Sequence, residues 1–248
     1  MVLNTDWRLL TGVCVTLTVL AALVSRYGHL LGGYPVARAA VRAIVQLAAV
    51  SAIITFVLQY LSLTLLFVLL MAVVATATSA ARTKTGRRGL AVGLAICAGT
   101  VPLLAALIGV GLLPATGIAL IPVGGILIGG AMTATTLSAR RGLDELHDRH
   151  GEYEAALSLG FTERDAVREV IRRPAAEALV PALDQTRTVG LVTLPGAFVG
   201  MLLGGASPWE AGALQLVVLL GLLVVEGLAI LVVVELIAAG WVRREISK

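Results

Sequence analysis

Cysteine is nearly absent: the chain of 248 residues has two, Cys14 and Cys97, each inside an apolar stretch. Such a pair supports neither a disulfide framework nor a zinc site. Aromatic residues make up 4% of the sequence and do not interleave with a basic patch, so the stacking surface of a nucleic-acid binder is missing and no nucleic-acid partner is expected. Charge is scarce as well, 14% Asp, Glu, Lys and Arg against 58% hydrophobic residues. That balance excludes an ordinary soluble domain and indicates an integral membrane protein, so the net charge of +4 reads first as topology. No G-x-x-x-x-G-K-[ST] phosphate cradle, nucleophile elbow or HExxH motif occurs, so no enzyme is expected and no cofactor bound by this chain itself. The first residues lack a basic n-region and a convincing cleavage site, and no cleavable signal peptide is expected.

What the chain does have is long uncharged runs. Leu9 to Ser25 is a first span near the minimum length, and Arg26 to Arg42 is a basic connection running into the next helix. Ala43 to Ala81 carries no charge; at roughly 1.5 Å per residue it is nearly twice the roughly 30 Å hydrocarbon thickness, so it must be two spans, turning near Gln59 to Ser62. After the basic RTKTGRR loop, Gly89 to Ala139 is two more, turning at Leu113 to Ala115. After Arg187, apolar sequence continues to Trp241, broken at GGASPWE, where Ser207, Pro208 and Glu210 give a helix start with a capping box. The fold class is therefore all-α and polytopic, about seven transmembrane helices in a single transmembrane domain. Alternate connections place all but Arg8 of the 19 basic residues on one side. By the positive-inside rule that side is the cytoplasm, with the N-terminus outside, the C-terminus inside, and the chain multi-pass in the cell (inner) membrane.

Between the uncharged runs lies Arg140 to Arg187, which holds about half of all the charged residues and must sit in water. Ala155, Ala156 and Leu159 recur at helical spacing over Glu152 to Leu159, and Gly160 follows where a left-handed cap would end that helix. Thr162 starts a second helix, with Asp165 three residues on and a stripe of Val167, Val170 and Ile171, and Pro174 interrupts it. Short, stiff helices joined directly to spans suit an element that receives force from a partner, although a charged loop would share the composition. His147 and His150, with Asp144 and Asp148, are spaced for weak metal chelation, but a solvated helical face explains them better, and a metal site is left unassigned.

Inside the spans, Gly196, Gly200 and Gly204 recur every four residues, as do Gly125 and Gly129, a spacing that lets helix backbones approach closely within or between subunits. Pro122 and Pro195 precede these two runs. Glu226 and Glu235 lie in the last apolar run, nine residues apart and so on opposite helix faces. Glu226 is the deeper and is a candidate for the translocation path or a helix interface; Glu235 reads as interfacial.

Two resemblances follow from these residues. Glu154, Ala155, Ala156 and Gly160, followed by Ile171 and Pro174, resemble the EAA loop by which ABC-transporter permeases dock on their ATPase, with one extra residue between the glycine and the isoleucine. More extensively, VRAIVQL (Val41 to Leu47), IPVGGILIGGAM (Ile121 to Met132), LSLGFT (Leu157 to Thr162) and ALVPALDQTRTVGLVTLPG (Ala178 to Gly196) are similar to the FetB-type iron-export permeases, a family with plant relatives linked to aluminium tolerance. Gly130 stands where that family usually has asparagine, and Ala197 and Phe198 where it has methionines. The resemblance implies a permease subunit, paired with a second copy in the lipid bilayer, that exports iron or another metal ion. ATP and Mg would be bound by a separate ABC ATPase subunit. It also implies a coupling loop within 140–182, and a translocation path or helix interface at Asp184, Gln185, Thr188, Gly190, Pro195, Gly196, Met132 and Glu226. Force would pass from the Glu152 to Arg173 helices through Pro181 and Asp184 to the next span. The alternatives are an ATPase-independent transporter or channel with Glu226 as ion or proton carrier, and an ABC permease for a non-metal substrate.

Overall fold

The computed structural model describes residues 6–30, 32–83 and 85–243. Arg244 and Lys248, assigned to the basic side from sequence, lie outside them. Contacts divide the chain into two compact units, meeting at Gln59 and Tyr60. The described residues are almost wholly helical, and their sole extended feature is an isolated bridge between Val189 and Thr193.

In the first unit, α1 (Trp7–Tyr27) and α2 (Gly33–Val57) pack on each other. Asp6 caps α1 by accepting from the Arg8 N–H. The Ser25 hydroxyl donates across the turn to the Gly32 carbonyl at 2.9 Å. Almost every apolar side chain of the pair is exposed, which is the expected state of residues whose solvent is lipid.

The second unit is built on two parallel helices, α5 (Gly117–Asp148) and α10 (Pro208–Ala238), with α3 (Leu61–Thr83) and α4 (Val92–Gly109) packed beside them. Breaks fall near the expected turns, at Leu58 to Tyr60 and Val110 to Thr116. The expected capping box at Ser207 and Glu210 is present: the Glu210 N–H donates to the Ser207 hydroxyl and the Ser207 N–H to the Glu210 carboxylate. Helix packing is tightest at glycine. A Cβ on Gly99 would stand 2.8 Å from the Val225 Cα, and one on Gly221 would stand 2.9 Å from Leu103. Ile96, Leu127, Leu222 and Val225 fill the core between these helices, and a second cluster around Val233, Ile237 and Ile171 extends it to the charged end.

Six helices among the described residues, α1 to α5 and α10, are long and apolar enough to cross a membrane. The crossing expected after Arg187 takes another form. The chain leaves the charged end through α6 (His150–Ser158), α7 (Glu163–Ala176) and a 3-10 turn, Glu177–Leu179. It then forms two short helices, α8 (Val180–Thr188) and α9 (Gly196–Leu203), both packed on α10. Between them Gly190 has φ 83° and its N–H bonds to the Thr193 carbonyl at 2.9 Å. Pro195, without an N–H, stands at the start of α9. A left-handed glycine and a proline in so short a stretch prevent a continuous helix.

Candidate functional site

At the charged end, α5 passes into α6 through Arg149 alone. Arg149 pairs with Glu145 at 3.6 Å and with Glu152, whose carboxyl it holds below the usual carboxylate range. His150 stacks on Tyr153 with ring centres 5.5 Å apart. The elbow that follows has the predicted form. Gly160 has φ 92°, its N–H bonds to the Leu157 carbonyl at 2.9 Å, and the Phe161 N–H bonds to the Ala156 carbonyl at 3.1 Å. This is the paired bonding of a Schellman cap. α6 buries no residue, and Leu159 (80% exposed) and Phe161 stand out beside the elbow. Glu154, Ala155 and Gly160 are exposed and Ala156 is half-buried.

Thr162 caps α7 as expected. The Asp165 N–H donates to its hydroxyl at 3.2 Å, and the hydroxyl donates to the Asp165 carboxylate at 2.7 Å. Thr162, and after it Arg168, hold the Asp165 carboxyl below its ordinary range. α7 turns Ala166, Val170, Ile171 and Ala175 inward, and Ile171 is fully buried against Gly142 of α5. The expected interruption at Pro174 does not occur: α7 continues through it to Ala176. Proline there withdraws one bond to the Val170 carbonyl, and the buried Val170, Ile171 and Ala175 hold the turn in its place.

Arg164 and Arg168 continue the stripe of the buried Ile171 and Ala175 on α7, and they carry a contact that periodicity did not single out. Arg168 donates to Glu235 of α10 through Nε at 2.8 Å and Nη2 at 2.6 Å, and Arg164 reaches the same carboxylate at 2.5 Å. Asp165 steadies Arg168 from the other side at 2.8 Å. The available signal was the i, i+4 spacing of the two arginines, but it does not say which element they face. A cleft of about 430 Å³ lies between the ends of α5, α6, α7 and α10, lined by His147, His150, Glu163 and Val167 among others. Among the described residues no three His, Cys, Asp or Glu side chains are grouped to hold a metal ion.

The residues assigned to a path or interface separate into two settings. Glu226 is buried where α10 meets α5, and a Cβ on Gly130 would stand 2.7 Å from its carboxylate oxygen. Met132, one half-turn further along α5, is half-buried. Asp184 and Gln185 are exposed on α8, with Asp184 paired to Arg187 at 3.5 Å. Thr188 is half-buried and donates to the Asp184 carbonyl at 2.8 Å. Gly190 and Gly196 are exposed and Pro195 is half-buried at the joint between α8 and α9. The small-residue spacing of Gly196 and Gly200 meets no neighbouring side chain among the described residues, nor does Gly129. Three buried polar atoms have no partner among the described residues, Thr135 Oγ1, Ser138 Oγ and Gln215 Oε1, and sequence reasoning singles out only Gln215, on the face of Glu226.

The family model described as "Uncharacterised protein family (UPF0014)" matches residues 9–241. The rice (Oryza sativa subsp. japonica) UPF0014 membrane protein STAR2 is 38% identical over 72% of this chain and 64% of its own length. Protein ALUMINUM SENSITIVE 3 of Arabidopsis thaliana is 39% identical over 67% of the chain and likewise 64% of its own. The chain thus spans just under two thirds of these plant relatives. The Escherichia coli (strain K12) protein described as "Probable iron export permease protein FetB" is 31% identical over 89% of this chain and 86% of its own length. No solved structure matches.

Proposed function

The chain belongs to the UPF0014 family of multi-span membrane proteins, and from that premise we propose that it is the permease subunit of an ABC transporter. In this reading it exports iron or another metal ion from the cytoplasm, as a pair of permease copies driven by separate ATPase subunits that bind the ATP and Mg. The observation that carries the reading is the α6–Gly160–α7 element. Its tip presents Leu159 and Phe161 to solvent while its root is anchored on α5 through the fully buried Ile171. An exposed apolar tip on a charged, water-borne element suits a protein partner. A root held against separation by buried apolar contacts suits the transfer of force, which requires that the tip bind two states of the ATPase unequally. The permease name of the E. coli relative supports transport, and its iron supports a metal cargo.

The test is co-purification with candidate ATPases, followed by metal-stimulated ATP hydrolysis in nanodiscs. Gly160→Pro should leave the protein inserted but abolish ATPase recovery, because proline cannot adopt φ 92°. Unchanged recovery would refute the assignment of this element. A second reading, transport without any ATPase and with Glu226 as the carrier, is favoured by the depth and burial of that carboxyl. It requires gradient-driven uptake in liposomes containing this chain alone.

A further inference from the structure

We propose that Glu235 is a positioning residue that locks α7 to α10, so that force on α7 is delivered to α10 directly rather than through the chain that follows it. The inference rests on the reading of α6 and α7 as the driven element. Two kinds of contact join α7 to its surroundings, and they resist different motions. The apolar root at Val170, Ile171 and Ala175 resists separation, but dispersion and hydrophobic contacts are non-directional and let a short helix roll or slide. The Glu235 carboxylate is different. Arg168 grips both of its oxygens and Arg164, one turn earlier, grips one of them. Bidentate guanidinium pairing fixes orientation as well as distance.

The network continues back to the elbow. Asp165 holds Arg168, and Thr162 holds Asp165 while capping the helix two residues after Gly160. The helix cap and the grip on α10 are therefore one hydrogen-bonded line, and the elbow joins it through the backbone of Phe161. Removing the carboxylate would also leave two like charges four residues apart on α7, which repel. The pairs are partly solvated, with 44% of the Glu235 side chain and 34% of Arg168 exposed, so the lock fixes register and contributes little to folding. Glu235→Gln should accordingly fold and insert.

The first experiment uses the full chain alone, with Cys14 and Cys97 replaced by serine and spin labels at Glu169 and Ala239, both exposed. The parent should give a narrow distance distribution. Glu235→Gln should broaden it, and the exchanged triple variant Glu235→Arg, Arg164→Glu, Arg168→Glu should narrow it again. An unchanged width in Glu235→Gln, or no recovery on exchange, overturns the lock whether or not any ATPase binds. The second experiment uses the permease with its co-purified ATPase in nanodiscs, labelled at Val101 of α4 and Leu220 of α10, also exposed. ATP with vanadate should shift this distance in the parent. In Glu235→Gln the ratio of shifted to unshifted population should fall at least about fivefold, the low end of measured allosteric couplings, with ATPase recovery unchanged. A full shift in Glu235→Gln overturns the inference. Failure to recover an ATPase with any form, the parent included, instead overturns the permease reading and leaves the first experiment to decide the lock.

Discussion

Two residues show how much depends on single atoms. Gly130 leaves room for Glu226, and a Cβ there would meet both the carboxylate at 2.7 Å and Leu222 at 2.5 Å. Overpacking of this kind costs about 1–3 kcal/mol. Gly130→Ala should therefore lower the thermal midpoint in detergent, and adding Glu226→Ala should restore part of the loss, an interaction of at least about 0.5 kcal/mol in the double-mutant cycle. Purely additive effects would show that the two side chains do not compete for this space. Asp165 gives a pH dependence. Its carboxyl is held below the ordinary value by Thr162 and Arg168, so its contribution is complete above the unfolded value of about 3.9 and is lost as pH falls through the folded one. Hydrogen exchange over residues 162–168, corrected for intrinsic rates, should be level from neutral pH to about pH 4 and rise below it. In Asp165→Asn that rise should shrink, the remainder coming from protonation of Glu235, which bonds Arg164 and Arg168.

At the scale of elements, α8 and α9 are the informative pair, because exposed polar side chains on α8 adjoin a joint that no continuous helix spans. Lipid does not accommodate exposed irregular backbone, so such a joint needs protein or a water-filled cavity around it. Cysteines placed at Asp184 and Gln185, in a background lacking Cys14 and Cys97, should react readily with a membrane-impermeant maleimide. One at Ala182, which is buried, should not; equal labelling would remove α8 from any aqueous path. The sequence made most elements legible through simple signals: uncharged length for α2 to α5, Ser207 with Glu210 for the start of α10, and Gly160 for the elbow. It did not reveal that the stretch after Arg187 is broken, because apolar content alone does not report whether Gly190 and Pro195 are tolerated inside a helix. Nor did it reveal the partner of Glu235. Periodicity assigns a residue to a face of its own helix, and only tertiary packing says what stands opposite.

For the whole molecule, the count of crossings decides the topology. Six long helices alone would leave both ends of the chain on one side, whereas a crossing by α8 and α9 in series would place them on opposite sides, the arrangement expected from the distribution of basic residues. The packing supports the second arrangement: α7 is bound near the C-terminal end of α10 at Glu235, and α9 brings Phe198 to Gly212 near its N-terminal end. Reporter tags on the two termini should accordingly appear on opposite faces of the membrane, and tags on the same face would show that α8 and α9 do not traverse it. α10 itself has its one proline at the very start and runs unbroken for 31 residues, roughly 46 Å. Geometrically it is a crowbar with its handle at Glu235: pivoted near one end, a tilt of about 5° sweeps the other end of a rod this long through about 4 Å. A displacement of that size exceeds the roughly 2.8 Å diameter of a water molecule, achieved without bending any bond in the rod.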